Sequence, residues 1–208
     1  MAIIPVPTGF GFSEVTRFQL MRASNQMRSK FTGARQVLVY PFAIWQLEAK
    51  LVEADGAKAG RFRSFLAQLD GVANKFRLPV PGYYRPSTIY STLGPDDGAR
   101  VKDAMEARSQ SLSIWALHPN RAFLAEGDFF TINDELKIVT ADVASNAQGI
   151  AVVSFKPGLR KPAPAGTPIT IFNPTILMHS DDDDAATWNL RPPFRQSTTF
   201  SASEAIEL

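Results

Sequence analysis

The residues of this chain that could do chemistry are mostly carboxylates, and they are concentrated in its second half. Four consecutive aspartates, Asp181 to Asp184, carry the oxygen ligands that calcium prefers. Adjacent side chains cannot all face one ion, however, and no D-x-D-x-D-G pattern follows them. We therefore predict a solvated loop that caps a short helix at 185–188, and no metal-binding residues.

The two histidines, His118 and His179, are candidates for proton transfer. His179 precedes the acidic run by two residues, so a His–Asp pair is one arrangement to consider. A hydrolytic triad also needs a nucleophile, and the chain has neither a cysteine nor a G-x-S-x-G elbow. The sequence thus predicts ordinary polar positions for both histidines.

Two carboxylate pairs have the residue types used in glycoside cleavage, namely Glu126 with Asp128 and Asp134 with Glu135. Each pair lies beside a predicted turn, where acidic side chains commonly bond to the local backbone. Hydrolysis of a cell-wall or capsule polysaccharide therefore stays an alternative, and no catalytic residue is predicted. The glycines of Gly9-Phe10-Gly11 lack the lysine and helix of a phosphate-binding loop, so no cofactor-binding residue is predicted either.

Short β-elements fill the chain from Phe123 onward, and they are separated by turn residues such as Asn133-Asp134 and Pro157-Gly158. The predicted strands, each rich in β-branched or aromatic residues, are 129–132, 136–140, 150–155, 169–172, 175–178 and 198–206. Residues 157–168 contain four prolines and predict an exposed connection.

The first half predicts two strands and one helix. A strand at 13–22, a polar loop at 23–30 and a tight turn at 31–35 lead into a long strand at 37–52, in which Trp45, Leu47, Ala49 and Leu51 alternate with polar residues. The helix covers 55–71, where Asp55 caps it, Gly71 ends it, and Phe62, Phe65, Leu66 and Leu69 form one apolar stripe.

These elements together predict a mainly β fold, a β-barrel or β-sandwich with one packed amphipathic α-helix and long connecting loops. Residues 1–208 are expected to form a single β-rich domain with a long loop insertion at about 83–117. Residues 109–117 look extended, which favours a loop followed by a strand there.

Charge is distributed unevenly along the chain. Residues 1–122 carry 16 Lys and Arg against 9 Asp and Glu, a net +7, whereas residues 123–208 carry 6 against 11, a net −5. The basic residues of the first half are scattered over strands, helix and loops, so no stable nucleic-acid complex is predicted. The asymmetry is equally compatible with contacts between a positive face and a negative face of identical subunits, and a chance distribution of surface charge is a further alternative.

No stretch approaches the 18 consecutive apolar residues of a membrane-spanning helix, and the first residues lack the pattern of a signal peptide. We therefore expect no membrane insertion, and synthesis and assembly in a cytoplasm.

Several segments resemble tail proteins of long-tailed bacteriophages, the class described as distal tail or minor tail proteins. In the first half, the resemblance is carried by Phe31-Thr32-Gly33-Ala34 leading into Trp45-Gln46-Leu47-Glu48-Ala49, and by the helical segment from Gly60 to Gly71. In the second half, it is carried by the segments from Phe123 to Ile132 and from Leu136 to Val143, and by the ending from Asp181 to Trp188 and from Thr199 to Ala205. It spans most of the chain but not residues 83–117.

The resemblance implies a non-enzymatic virion structural protein that forms a ring, of six subunits, at the distal end of the tail tube. Its implied partners are further copies of itself, the tail tube protein, and tail-tip hub or fibre proteins, and its implied location is the tail of the virion. A second alternative is a glycan-binding β-sandwich module for host attachment, with Tyr83, Tyr84 and Tyr90 as its exposed aromatic residues.

Overall fold

The computed structural model describes residues 1–51, 56–86, 98–115, 118–183, 189–191 and 195–206. Within these ranges the protein is mainly β, with one α-helix and several sheets that include a curled half-barrel. The mainly β fold with a single helix that the sequence predicts is thereby confirmed.

The helix α1 covers Gly56–Leu69. The strands, in chain order, are β1 (Ile3–Ile4), β2 (Phe12–Arg28), β3 (Arg35–Leu51), β4 (Lys75–Pro79), β5 (Arg100–Val101), β6 (Ser111–Trp115), β7 (Ala122–Leu124), β8 (Phe129–Ile132), β9 (Glu135–Val139), β10 (Val143–Ala144), β11 (Ile150–Lys156), β12 (Thr175–Ser180), β13 (Asn189–Arg191), β14 (Arg195–Ser197) and β15 (Thr199–Glu204).

The chain divides into two compact units. The first comprises Met1, Pro7–Asn74 and His179–Glu204, and the second comprises Ala2–Val6, Lys75–Met178 and Ala205–Leu208. The single-domain organisation of residues 1–208 stays a prediction.

In the first unit, β3 is the central strand of an antiparallel group in the order β15-β3-β2. Trp45, Leu47, Ala49 and Leu51 are buried, as their alternation predicts, and Phe200 of β15 pairs opposite Ala49. Because successive side chains of a strand point to opposite faces, one face of this half of β3 contributes to the core while Lys50 lies exposed.

Helix α1 packs its apolar stripe into the same unit. Its buried residues are Ala59, Phe62, Phe65, Leu66 and Leu69. Phe10, in the segment before β2, meets the rings of Phe62 and Phe65 edge-on at centroid distances of 5.6 and 5.3 Å. The helix ends where Asp70 and Gly71 both adopt positive φ, which confirms the predicted role of Gly71 at its end.

The second unit contains a five-stranded sheet in the order β5-β6-β11-β9-β8. Its core includes Leu112, Ile114, Phe130, Val153 and Phe155, all nearly inaccessible to solvent. The β8–β9 hairpin turns through Asn133 and Asp134, both with positive φ, as a two-residue turn between twisted strands requires. The strands β1, β4 and β12 lie side by side in this unit, and β7 pairs with β10.

Within the predicted 83–117 insertion, β6 agrees with the extended structure expected near its end, and β5 is a further short strand. Three predictions about other segments need correction. The first strand does not end near residue 22, because β2 continues to Arg28 through the predicted polar loop. The connection at 157–168 was expected to be exposed, but Leu159 and Ala163 within it are buried. The predicted strand at 169–172 forms only a single β-bridge, from Thr170 to Thr131.

Candidate assembly surface

The most unusual surface of the described chain is the outer part of the β2–β3 hairpin, residues 24–40, which we call the arm. All seventeen residues of the arm are exposed to solvent. Among them are Met27, Leu38 and Val39, whose exposed fractions are 69%, 58% and 67%. Large exposed apolar patches on folded proteins often mark interaction sites, so the arm is a candidate surface for one.

The tip of the arm has a defined conformation. The Ser29 backbone N–H donates to the Ala34 carbonyl at 2.9 Å, and the Gly33 N–H donates to the Ser29 carbonyl at 3.0 Å. The Ser29 hydroxyl oxygen accepts from the N–H groups of Phe31 and Thr32 at 3.3 and 3.2 Å. These bonds fix the backbone around Phe31, whose side chain is fully exposed to solvent, with an exposed fraction of 101%.

The strand register of the arm shows that both of its faces carry apolar side chains. Gln26 pairs with Val37 and Ser24 pairs with Val39, so these side chains share one face. Asn25 pairs with Leu38 and Met27 pairs with Gln36 on the opposite face. Neither face of the ribbon has a second layer of described residues over it, since every residue of the arm is exposed.

All the charge on the arm is positive. Arg28, Lys30 and Arg35 lie within residues 24–40, and this segment has no Asp or Glu. Arg28 and Arg35 are direct cross-strand partners on one face. Like charges directly opposite each other destabilise a β-pair, so the isolated arm is electrostatically unfavourable and an acidic partner would stabilise it.

The inner part of the same hairpin is anchored in the first unit. The Phe18 ring stacks on the Trp45 ring with a centroid distance of 5.1 Å and an interplanar angle of 13°. The buried Glu204 carboxylate accepts a hydrogen bond from the Trp45 backbone N–H at 3.1 Å. The arm therefore extends from a fixed base, a condition for using it as a rigid contact.

The structure places the candidate pair Glu126 and Asp128 in a turn. Asp128 is buried, and its Oδ2 accepts from the Ala125 N–H at 2.7 Å. Glu126 is exposed, and its backbone N–H donates to Oδ1 of Asp142 at 2.9 Å. Asp128 thus has the backbone-bonding role that its position beside a turn predicts.

The second candidate pair, Asp134 and Glu135, has separate partners for its two carboxylates. Asp134 is exposed and forms two hydrogen bonds with the guanidinium of Arg77, at 3.0 and 2.9 Å. Glu135 is buried and forms an ion pair of 2.6 Å with Nζ of Lys137, whose side chain is fully buried.

The buried Glu135–Lys137 pair is a feature that the sequence analysis missed. Lys137 Nζ also donates to the Gly158 carbonyl at 2.9 Å, and the Glu135 carboxylate accepts from the backbone N–H groups of Arg160 and Lys161 at 3.0 and 3.2 Å. The two side chains therefore connect β9 to the loop that follows β11. The sequence pattern that could have indicated this pair is the i, i+2 spacing of Glu135 and Lys137, which places both side chains on one face of a strand.

A small polar pocket adjoins this pair. It is lined by Asn133, Asp134, Glu135, Arg160, Lys161, Leu177, Ala205 and Ile206, and its volume is about 20 Å³. That volume suits a water molecule. Both carboxylates that line it are already paired, Asp134 with Arg77 and Glu135 with Lys137.

The aspartate run does not act as a ligand cluster in the described residues. Asp181, Asp182 and Asp183 are exposed, and Oδ1 of Asp183 accepts from the Val72 N–H at 3.2 Å, just beyond the end of α1. The predicted helix at 185–188 and Asp184 lie outside the described residues. Asp183 thus stabilises the backbone after α1.

Replacing Gly71 by alanine should lower the free energy of unfolding by about 1–2 kcal/mol, because φ at this position is +63°. A Cβ there would also lie 2.3 Å from Oδ1 of Asp183 and would displace the carboxylate from Val72. Chemical denaturation of the purified variant measures this loss.

Gly60→Ala is the matched control for that substitution. Gly60 is inside α1, and a Cβ there meets nothing within 4 Å. This variant should gain about 0.5–1 kcal/mol from the better helix propensity of alanine. Equal effects of the two substitutions would show that the Asp183 contact and the left-handed conformation of Gly71 are misassigned.

The two histidines take separate positions. His118 is exposed, and its carbonyl accepts a hydrogen bond from the Ser145 hydroxyl. His179 is partly buried, with Nδ1 at 3.0 Å from the Ser180 carbonyl. Across the described ranges, no group of three or more His, Cys, Asp and Glu side chains is arranged to hold a metal ion.

The three tyrosines proposed for glycan binding are not equivalent. The Tyr83 ring packs edge-on against Phe129 at a centroid distance of 5.2 Å, and its buried hydroxyl has no hydrogen bond of ordinary geometry within the described structure. Burial raises the pKa of the Tyr83 phenol above its ordinary value, and the nearby Asp128 carboxylate adds to this effect. Tyr84 is 66% exposed, and Tyr90 lies outside the described residues.

Comparison with protein-family models and with curated proteins found no match to this chain. None of the helices in the described ranges has the length and apolar character needed to cross a membrane.

Proposed function

We propose that this protein is a non-enzymatic structural protein of a bacteriophage virion, assembled in the host cytoplasm. In this proposal it forms a ring at the distal end of the tail tube and joins the tube to the tail-tip hub or to receptor-binding fibres. The observation that carries the proposal is the arm, because residues 24–40 are exposed on both faces and bear apolar side chains on each.

An arm of this kind is suited to assembly and poorly suited to an isolated molecule. A two-stranded ribbon by itself is marginally stable in water. Burying apolar surface contributes about 25 cal/mol per Å², so covering Met27, Leu38 and Val39 would add to the stability of an assembled state. The tail assignment itself rests on the sequence resemblance described above.

The uneven charge of the chain supports a ring in particular. Residues 1–122 have a net charge of +7 and residues 123–208 a net charge of −5. Contacts between unlike surfaces of identical subunits are heterologous, and a heterologous contact closes into a ring when its rotation permits. Attraction between the positive and negative regions would orient each neighbour.

The two alternative functions have less support from the geometry. Glycan binding by stacked tyrosines would need several exposed rings close together, yet Tyr83 packs against Phe129, and of the two described tyrosines of the proposed group only Tyr84 is exposed. Polysaccharide hydrolysis by Glu126 and Asp128 would need two available carboxylates, yet the Asp128 carboxylate is buried and bonded to the turn.

The charge mechanism predicts that assembly weakens with salt. The screening length falls from about 30 Å at about 0.01 M salt to about 3 Å at about 1 M. Sedimentation velocity over this range should show large species at low ionic strength and a shift toward smaller ones at high ionic strength. Large species that persist unchanged across the series would contradict the charge mechanism.

A further inference from the structure

The arm leaves its backbone edges open as well as its faces. Strand β2 is the last strand of its sheet, and β3 pairs with β15 only along residues 46–50. Within the described chain, residues 24–40 therefore pair only with each other. Open edges and exposed apolar faces are usually blunted or covered in a native protein, which indicates that the arm is covered in the assembled state.

The positive charge of the arm indicates that the surface that covers it is acidic. Arg28 and Arg35 face each other across the ribbon, and Lys30 lies at the tip. A surface with exposed carboxylates that lack their own cations would neutralise all three side chains. The net charge of residues 123–208, −5, makes a second copy of this chain the partner that fits best.

Two exposed carboxylates of the second unit could pair with two of these three cations. Glu126 and Asp142 lie on neighbouring turns joined by the hydrogen bond from the Glu126 N–H to Asp142 Oδ1, 2.9 Å long. Neither forms an ion pair within the described part of the chain, whereas the exposed Asp103 and Asp134 pair with Lys102 and Arg77. We call Glu126 and Asp142 the acidic corner.

We propose that the arm of one copy packs against the acidic corner of a second copy, with Arg28, Lys30 and Arg35 facing Glu126 and Asp142 and with Phe31 inserted at the contact. This inference rests on the proposed ring and specifies the surfaces that join its subunits. The arm and the corner are different surfaces, so the contact is heterologous and each copy offers one of each.

Cysteine cross-linking tests the contact directly, because the natural chain contains no cysteine. Phe31→Cys and Glu126→Cys are prepared as separate full-length proteins, mixed at low salt, and treated with a short linker that joins two thiols. The proposal predicts a covalent dimer that contains one copy of each variant. Ala67→Cys, on the exposed side of α1, replaces Glu126→Cys in the control mixture and should give only background cross-linking.

A charge exchange tests the electrostatic part separately. Arg35→Glu replaces an unfavourable Arg28–Arg35 pair by a favourable one, so the arm itself should remain folded, which circular dichroism checks. Association should nevertheless weaken by at least about tenfold, since the new carboxylate would face the acidic corner. Adding Glu126→Arg to the same chain should restore association.

The outcomes distinguish the failure of this inference from the failure of the proposed function. If rings form normally but no cross-link exceeds the Ala67→Cys background, the proposed arm-to-corner contact is wrong, and the proposal that the protein forms a ring still stands. An Arg35→Glu variant that assembles like the natural protein would also overturn it. A protein that stays monomeric in every mixture would count against both.

Discussion

Glu135→Ala should lower the free energy of unfolding by about 3–5 kcal/mol, because it leaves a buried lysine without its counter-ion. The Lys137 side chain has no exposed surface, and its Nζ lies 2.6 Å from the Glu135 carboxylate. The substitution also removes the acceptor of the Arg160 and Lys161 backbone N–H groups. Urea denaturation followed by tryptophan fluorescence and circular dichroism measures the loss.

The double variant Glu135→Leu/Lys137→Met separates loss of the ion pair from loss of packing. Apolar residues of similar size often replace a buried ion pair without net cost. The two N–H groups still lose their acceptor, which costs about 1–3 kcal/mol. We therefore expect the double variant to recover part of the stability lost in Glu135→Ala, with the unpaired N–H groups accounting for the remaining loss. A double variant as unstable as the single one would contradict the assigned role of the pair.

Phe62→Ala should cost about 3–5 kcal/mol of stability, the usual range for removing a buried phenylalanine. Phe62 is 1% exposed, lies on the buried stripe of α1, and meets the ring of Phe10 edge-on at 5.6 Å. Its removal would leave a cavity between the helix and the segment before β2. The midpoint of chemical or thermal denaturation should fall accordingly.

Phe31→Ala is the matched control, since it removes the same side chain from a fully exposed position. An exposed substitution of this kind usually changes stability by less than about 0.5 kcal/mol. Association of the subunits should weaken all the same, because Phe31 lies at the proposed contact. A large loss of stability from Phe31→Ala would show that the Phe31 side chain packs against other residues of its own chain.

The parts of the fold that the sequence predicts well are those with a strong internal pattern. The alternation from Trp45 to Leu51 and the stripe from Phe62 to Leu69 each match a single period, and both sets are buried. Trp45 and Phe65 are buried as predicted, and they pack against the rings of Phe18 and Phe10.

The outer part of β2 escaped prediction because its local residues do not specify a strand. Residues 24–28 are Ser, Asn, Gln, Met and Arg, which have no β-branched member and no alternation of apolar and polar types. Their strand conformation comes from pairing with residues 35–39 of β3. Pairing with a neighbour is a tertiary effect that propensity alone does not capture.

The surroundings of Lys137 escaped prediction for a related reason. Lysine is rarely buried, so a strand pattern places it on the solvent side. Here the loop after β11 covers it, with Leu159 buried and the Gly158 carbonyl accepting from its ammonium group. The proline-rich composition of 157–168 indicated an exposed connection and gave no sign of this packing.

Local turn chemistry explains the carboxylates for which the structure shows a backbone partner. Asp128 bonds to the Ala125 N–H, and Asp183 bonds to the Val72 N–H, so both serve the backbone as short acidic side chains near turns commonly do. The arm could not be found in this way, because exposure on both faces is a property of the folded chain. The sequence carried only its basic charge and its unusual run of apolar residues at 37–40.

The central claim, that this chain is a subunit of a ring, is tested most directly by the mass of the purified protein at low salt. Light scattering should give a whole-number multiple of 22.8 kDa, six copies if the resemblance to tail-tip rings holds, and negative-stain images of that species should show a closed ring with a central opening. A single species of 22.8 kDa at every concentration and salt would contradict the claim.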